Sequence, residues 1–230
     1  MLAILALLMA LFAVIAFAIT VREYARSRFI QKAEQLAIKD IGAPGVYRTC
    51  ALVKAQDPLI LPSWGSKCIY YLAVIRELVS DDYGAGDGDS RDLARYRVAE
   101  SRRKSCEFQL TDGEESIKVE SAAPSIRFYG EEFKCNSRES EDLAFALTSR
   151  EYPGCRVNLE MIKDGTRVTT VGRVGNVDGE LQFLADGSLL VSTQSLEDLL
   201  AEKALTVKFA LIAFVICSLL AGVSFLPFLG

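Results

Sequence analysis

The residues of this chain best suited to chemistry are its six cysteines, because a thiolate is both a nucleophile and a metal ligand. Five of them, Cys50, Cys68, Cys106, Cys135 and Cys155, are spread through the middle of the sequence, and Cys217 lies in an apolar stretch near the end. No pair has C-x-x-C spacing, and the chain contains no histidine. A zinc finger or histidine-based metal centre is therefore excluded, as are Ser-His and Cys-His nucleophile pairs. An all-thiolate site gathered from distant cysteines is the metal chemistry that composition leaves open. The odd number of central cysteines favours reduced, mostly buried thiols over a disulfide framework.

Carboxylates raise a second possibility at residues 80–92 (SDDYGAGDGDSRD), an acidic, glycine-rich tract. A calcium loop starting at Asp87 would need an oxygen ligand where Arg91 stands and a glutamate where Val98 stands. The tract reads instead as a solvated hairpin tip. Trp64, the single tryptophan, falls in a turn-rich loop and is a candidate anchor for a membrane interface or a partner. No residue acquires a catalytic, cofactor-binding or metal-ligating role, and the sequence leaves the ligand-binding residues unknown. With 30 acidic against 26 basic residues and no basic cluster interleaved with aromatics, nucleic acid is not the expected partner.

These residues must be positioned by a chain whose two ends are apolar. Residues 1–21 and 209–230 lack charged side chains, and at ~1.5 Å per residue either stretch can cross a hydrocarbon core ~30 Å thick. Ala16-Phe17-Ala18 has the small-x-small form of a signal-peptide cleavage site. However, no basic residue precedes the apolar run, the run exceeds the usual ~7 to 15 residues, and basic residues follow it directly, so an uncleaved anchor is expected. Arg22, Arg26, Arg28 and Lys32 flank the first stretch, and Lys203 and Lys208 flank the second, all on the inner side of the loop. The positive-inside rule then predicts a two-pass membrane protein with both termini outside and the central domain in the cytoplasm or in an organelle's equivalent compartment.

Between the stretches the texture is that of a folded domain. Residues 22–41 read as a juxtamembrane helix, running to about Lys39 until Gly42, Pro44 and Gly45 break it. Residues 46–54 and 68–79 read as two strands joined by a turn-rich loop, and residues 93–98, 105–110 and 117–120 as strands forming two hairpins. Residues 139–151 read as a short helix started by Ser140. Asp164-Gly165, Asp178-Gly179 and Asp186-Gly187 then separate apolar-alternating runs, the signature of a β-meander. Ser195-Leu-Glu-Asp is a capping-box-like start from which one helix is expected to run through 195–208 into the second apolar stretch. The expected architecture is a membrane-anchored α+β chain. Its β-rich domain, meander-like or partly closed as a barrel, occupies residues 42–194 between two transmembrane helices.

Four groups of residues carry a family resemblance. They are Pro58-Leu59 with Gly65 and Cys68-Ile69-Tyr70-Tyr71; Cys106-Glu107-Phe108-Gln109-Leu110-Thr111-Asp112-Gly113; Glu160-Met161-Ile162-Lys163-Asp164-Gly165-Thr166-Arg167-Val168 with Gly172; and Leu190-Val191-Ser192 with Leu199. Taken in order, with the flanking apolar stretches, they resemble the GIDE domain, also called BAM for beside-a-membrane. Eukaryotic members of that family are organelle-membrane ubiquitin ligases whose catalytic recruitment comes from a RING finger after the second span. The sequence given ends at Gly230, so the resemblance implies a RING-less relative, expected in a prokaryotic cell membrane, in which a ubiquitin-ligase role attaches to no residue. The function expected is a non-enzymatic binding or scaffold module with the bilayer and an unknown protein or lipid as partners; a ubiquitin-ligase component is the alternative. The matched positions themselves read as structural: Phe108 and Leu110 as core, Gly113 and Gly165 as turns, and Tyr70 and Tyr71 on opposite faces of a strand.

Overall fold

The computed structural model describes residues 2–62, 64–78, 96–120 and 125–225 and divides into two compact units. The first consists of two long helices, α1 (Leu2–Lys32) and α3 (Leu196–Phe225). They pack antiparallel: Phe17 meets Phe214 with ring centroids 5.6 Å apart, and nearer the polar ends Glu23 faces Lys203. By length and composition, residues Leu7–Lys32 and Leu196–Ala221 are each apolar enough to cross a membrane. α3 starts where Ser195 Oγ accepts the Asp198 N–H, with Glu197 and Asp198 in the first turn, where the helix dipole favours acids.

The second unit, Glu34–Gln194, is β-rich. Its elements are β1 (Glu34–Gln35), a 3-10 turn at Ile38–Asp40, β2 (Gly45–Ala55), β3 (Leu59–Ile60), β4 (Lys67–Leu78), β5 (Tyr96–Ser105), β6 (Phe108–Thr111) and β7 (Ser116–Val119). They continue with β8 (Arg127–Tyr129), β9 (Glu131–Lys134), α2 (Ser137–Thr148), β10 (Arg156–Lys163), β11 (Arg167–Val177), β12 (Glu180–Phe183) and β13 (Leu190–Ser192). Strands β2, β6, β7, β12 and β11 pair in that order, and β11 pairs back onto β2, so five strands close a barrel. β7 and β12 run parallel, and the other four barrel pairings are antiparallel. Alternation along each strand turns Ala51, Val53, Leu110, Ile117, Val119, Val168, Val174 and Phe183 inward as a buried core.

A second sheet runs β5-β4-β10-β9, with β3 beside the start of β4. α2 covers one face of it, and Leu143 and Ala144 join Tyr71, Ala73, Ile75, Val157, Leu159 and Met161 in a separate core. β4 and β10 serve both cores. Tyr70 and Ile162 belong to the barrel cluster while their neighbours Tyr71 and Met161 belong to the second. Tyr70 stacks on Phe128 with centroids 4.2 Å apart.

The chain passes between the sheets at Gly130, the single residue separating β8 from β9. A Cβ there would lie 2.6 Å from the Met161 carbonyl oxygen, so the close approach of two backbones requires glycine. The Gly130 N–H donates to Glu160 Oε1 at 2.6 Å.

Four expectations are corrected by this architecture. The run after Asp164-Gly165 is not a continuous meander, because β10 lies in the second sheet and β11 in the barrel. Asp164 turns the chain from one sheet to the other, its Oδ1 accepting the Ala55 N–H. β12 and β13 both pair with β11 rather than with each other, so of the three Asp-Gly pairs only Asp178-Gly179 closes a hairpin between paired strands. There both residues have positive φ (53° and 87°), the conformation of the tight turn that matches strand twist.

α1 ends at Lys32 rather than near Lys39, because Glu34 and Gln35 pair with Tyr47 and Arg48 of β2 and the Leu36 N–H bonds the Arg48 carbonyl. α2 starts three residues before the expected Ser140. Asn136 and Glu139 form a reciprocal capping box, and buried Ser140 instead accepts the Val157 N–H. Finally, β5 spans Tyr96–Ser105 and pairs with β4, leaving β6 and β7 as the hairpin around Gly113. The acidic tract at 80–92 and the start of the expected 93–98 strand lie outside the described residues.

Candidate functional site

The outward face of the barrel strands carries the candidate site. On β2, β6, β7 and β12 the residues between core positions stand directly opposite one another. Lys54 faces Gln109, Gln109 faces Lys118, and Lys118 faces Gln182. At ~4.8 Å between neighbouring strands the four polar side chains form a row ~14 Å long. Gln56, Glu107 and Glu120 lie just beyond the ends of β2, β6 and β7, two residues along the chain from Lys54, Gln109 and Lys118.

Together these residues line an open cleft of about 620 Å³ with Phe108 and Val119 in its floor. A second recess of about 410 Å³ shares Gln109 and Lys118 and extends past Ser116 and Glu180 to Ile38 and Ile41. The two recesses meet at the Gln109–Lys118 rung, so the face presents an elongated groove.

Electrostatically the groove is mixed. Lys118 Nζ lies 2.6 Å from Glu180 Oε2, a pair that crosses the parallel seam closing the barrel. The hydrogen bond and charge of Glu180 raise the Lys118 pKa, and those of Lys118 lower that of Glu180. Glu120 Oε2 accepts the Ala185 N–H at 2.8 Å. The amides of Gln109 and Gln182 offer both donors and acceptors to a bound molecule. Such a lining recognises polar groups by hydrogen bonds, with two lysines and several glutamates setting the charge preference along its length.

The thiols do not join this site. Cys50 is exposed, Cys68 and Cys155 are buried, Cys106 and Cys135 are half-buried, and all five are free. Burial pushes the Cys68 thiol up to about 11, with the neighbouring Cys106 adding to the rise, and burial also raises Cys106, Cys135 and Cys155. Thiols held protonated are poor nucleophiles and poor ligands. Among the described residues no three or more Cys, Asp or Glu side chains gather where they could hold a metal ion. Trp64 meets Phe133 edge-on at 5.7 Å, against the second core. Phe108 and Leu110 point into the barrel, and Gly113 and Gly165 have the positive φ of turn residues (102° and 78°).

The groove residues were not singled out by spacing. Lys54, Gln109, Lys118 and Gln182 come from four strands, of which only β6 and β7 are neighbours in sequence, and their only sequence signal is the polar position beside a core position on each. No protein-family model, no curated protein and no solved structure matches the chain.

Proposed function

We propose that the chain is a membrane-tethered, non-enzymatic binding or scaffold module: its two apolar helices anchor it in the bilayer, and the barrel groove takes up a ligand. The observation that carries this reading is the groove itself, two recesses meeting at the Gln109–Lys118 rung on a closed barrel. The raised thiol pKa values and the absence of histidine support a binding role over nucleophilic chemistry at a buried thiol or a histidine-activated pair. The basic flanks of the helices favour a cytoplasmic domain with both termini outside, and the resemblance to beside-a-membrane domains agrees with that placement.

A photo-crosslinking residue placed at Gln109 in native membranes tests the groove. It is expected to capture a discrete partner that Lys54→Glu with Lys118→Glu reduces at least tenfold. The same crosslinker at Arg138, an exposed residue in the first turn of α2, is expected to capture no such species. Equal capture at both positions, or capture indifferent to the lysine changes, refutes the groove as the binding surface.

A further inference from the structure

A second surface is offered by β5. Nine of its ten residues pair with β4 along one side, the register shifting at Ala99, and no described residue pairs with its other side. The Cys106 N–H donates to the Ile69 carbonyl at 3.0 Å, and Tyr70 stands opposite Ser105. In an antiparallel ladder the bonded pairs alternate, so Tyr71/Lys104 and Ala73/Arg102 bond across to β4. The N–H and C=O groups of Ser101, Arg103 and Ser105 therefore point away from the sheet. They recur every ~6.8 Å, the repeat at which an added antiparallel strand bonds.

The side chains along this edge are charged and outward. Arg97, Arg102, Arg103 and Lys104 against Glu100 give four cations and one anion, a net charge of +3. Arg97 pairs with Glu77, Arg102 with Glu100, and Arg103 donates to the Ile126 carbonyl while lying over the Tyr70 ring. Lys104 has no partner among the described residues. Arg102 and Lys104 project on one face of the strand, two residues apart, where alternate residues of an added strand would stand opposite them.

From this geometry we infer that the free edge of β5 binds an extended acidic peptide segment by strand addition, with Asp or Glu at alternate positions facing Arg102 and Lys104. Backbone bonds to Ser101, Arg103 and Ser105 supply the docking, and the cations supply the selection. A second copy of the chain is a poorer occupant, because two edges of charge +3 would meet. Cations on an edge strand also keep copies apart without binding anything, and an acidic strand separates the two roles.

The test uses the full chain in a non-ionic detergent and fluorescence anisotropy of a labelled decapeptide of alternating Thr and Glu. Binding is expected, at least tenfold tighter than to the same peptide N-methylated at alternate residues and at least tenfold tighter than to a Thr/Lys decapeptide. The Arg102→Glu/Lys104→Glu variant changes only exposed side chains and should reverse the preference for Glu over Lys. Ser101→Pro, which removes one outward N–H, should weaken binding while leaving the peptide's charge preference intact. No binding of the Thr/Glu peptide would make the edge a guard only. Equal binding of the N-methylated peptide would reduce the attraction to charge, and equal binding of the Thr/Lys peptide would remove the selection. Self-association lost in the double variant, with no peptide bound, would assign the edge to a second copy. Each of these results overturns the inference, and none of them bears on the barrel groove.

Discussion

Replacing Gly130 by alanine should uncouple the second sheet from the barrel. The added methyl would lie 2.6, 2.7 and 2.9 Å from the O, C and N atoms of Met161, against ordinary contacts of about 3.5 Å or more, so one backbone must retreat by roughly 0.5–1 Å. Met161 cannot yield easily, since it pairs with Tyr71 on one side and Glu131 on the other and its side chain is buried in the second core. Overpacking of this kind costs about 3 kcal/mol. Moving Gly130 also withdraws the N–H held by Glu160, a half-buried carboxyl whose pKa burial raises and that N–H opposes. Leaving it unpaired adds about 1 kcal/mol. A loss of about 4 kcal/mol is a large part of the ~5–15 kcal/mol that holds a domain folded.

The single tryptophan provides the readout, because Trp64 packs on Phe133 of β9, the strand that Gly130 leads into. With a urea slope of about 2 kcal/mol per molar, the fluorescence midpoint of the detergent-solubilised chain should fall by about 2 M. Gly42→Ala, where a Cβ meets nothing within 4 Å, serves as the control and should shift the midpoint little. A Gly130→Ala midpoint within about 0.5 M of the parent would refute the reasoning.

Three further outcomes follow from particular side chains. A maleimide should modify Cys50 rapidly at pH 7.5 and leave Cys68 untouched until denaturant is added; mass spectrometry of the two peptides decides, and early labelling of Cys68 contradicts its burial. Burial raises Tyr70 to about 12 and Cys68 to about 11 in the folded chain, so their contribution is full below the unfolded values of 10.0 and 9.0 and is lost as pH rises toward the folded ones. Stability should fall by about 1.4 kcal/mol per pH unit per group across that window, seen as tyrosinate absorbance appearing together with unfolding. In the helical unit, Glu23 and Lys203 are both nearly buried, 3.6 Å apart, so Glu23→Ala should destabilise the solubilised hairpin by about 3 kcal/mol, whereas Glu23→Leu with Lys203→Leu should recover most of it. Thermal unfolding followed by circular dichroism distinguishes these, and a double variant no better than the single one would show that the pair holds the helices by more than packing can replace.

What was legible in the sequence was local. Uninterrupted apolar runs mark α1 and α3, alternation marks β2, β4, β6 and β7, and Asp-Gly pairs mark turns, because each of these depends on neighbours a few residues apart. Topology was not legible. Asp164-Gly165 looks like Asp178-Gly179 in sequence, yet one turn carries the chain between sheets and the other folds β12 back onto β11. The difference lies in where the flanking strands find partners, Lys67 and Val53 for the residues of the first turn. The end of α1 escaped for the same reason: Glu34 and Gln35 are sound helix formers, and only the distant β2 draws them into a strand pair. Asn136-x-x-Glu139 is legible as a capping box, whereas Ser140, a cap by residue type alone, has its hydroxyl occupied inside the fold. The groove escaped because its four rungs are 9 to 64 residues apart along the chain, from Lys54 through Gln109 and Lys118 to Gln182.

The same strands that hold the cores also aim the two proposed binding surfaces, and this sets a constraint on both. In β4, Tyr70 faces the barrel core and Tyr71 the second core, so a slip of one residue would drive each ring into the wrong cluster. β5 takes its register from β4, and the outward groups of Ser101, Arg103 and Ser105 are fixed by that pairing. The groove is fixed likewise, since Lys54, Gln109 and Lys118 stand outward only while Val53, Leu110 and Ile117 stand inward. Binding residues on such a frame are separable from folding residues. Substitutions at Lys54, Lys118, Arg102 or Lys104 should change recognition with little effect on stability, and substitutions at Val53, Leu110 or Tyr71 should change stability first.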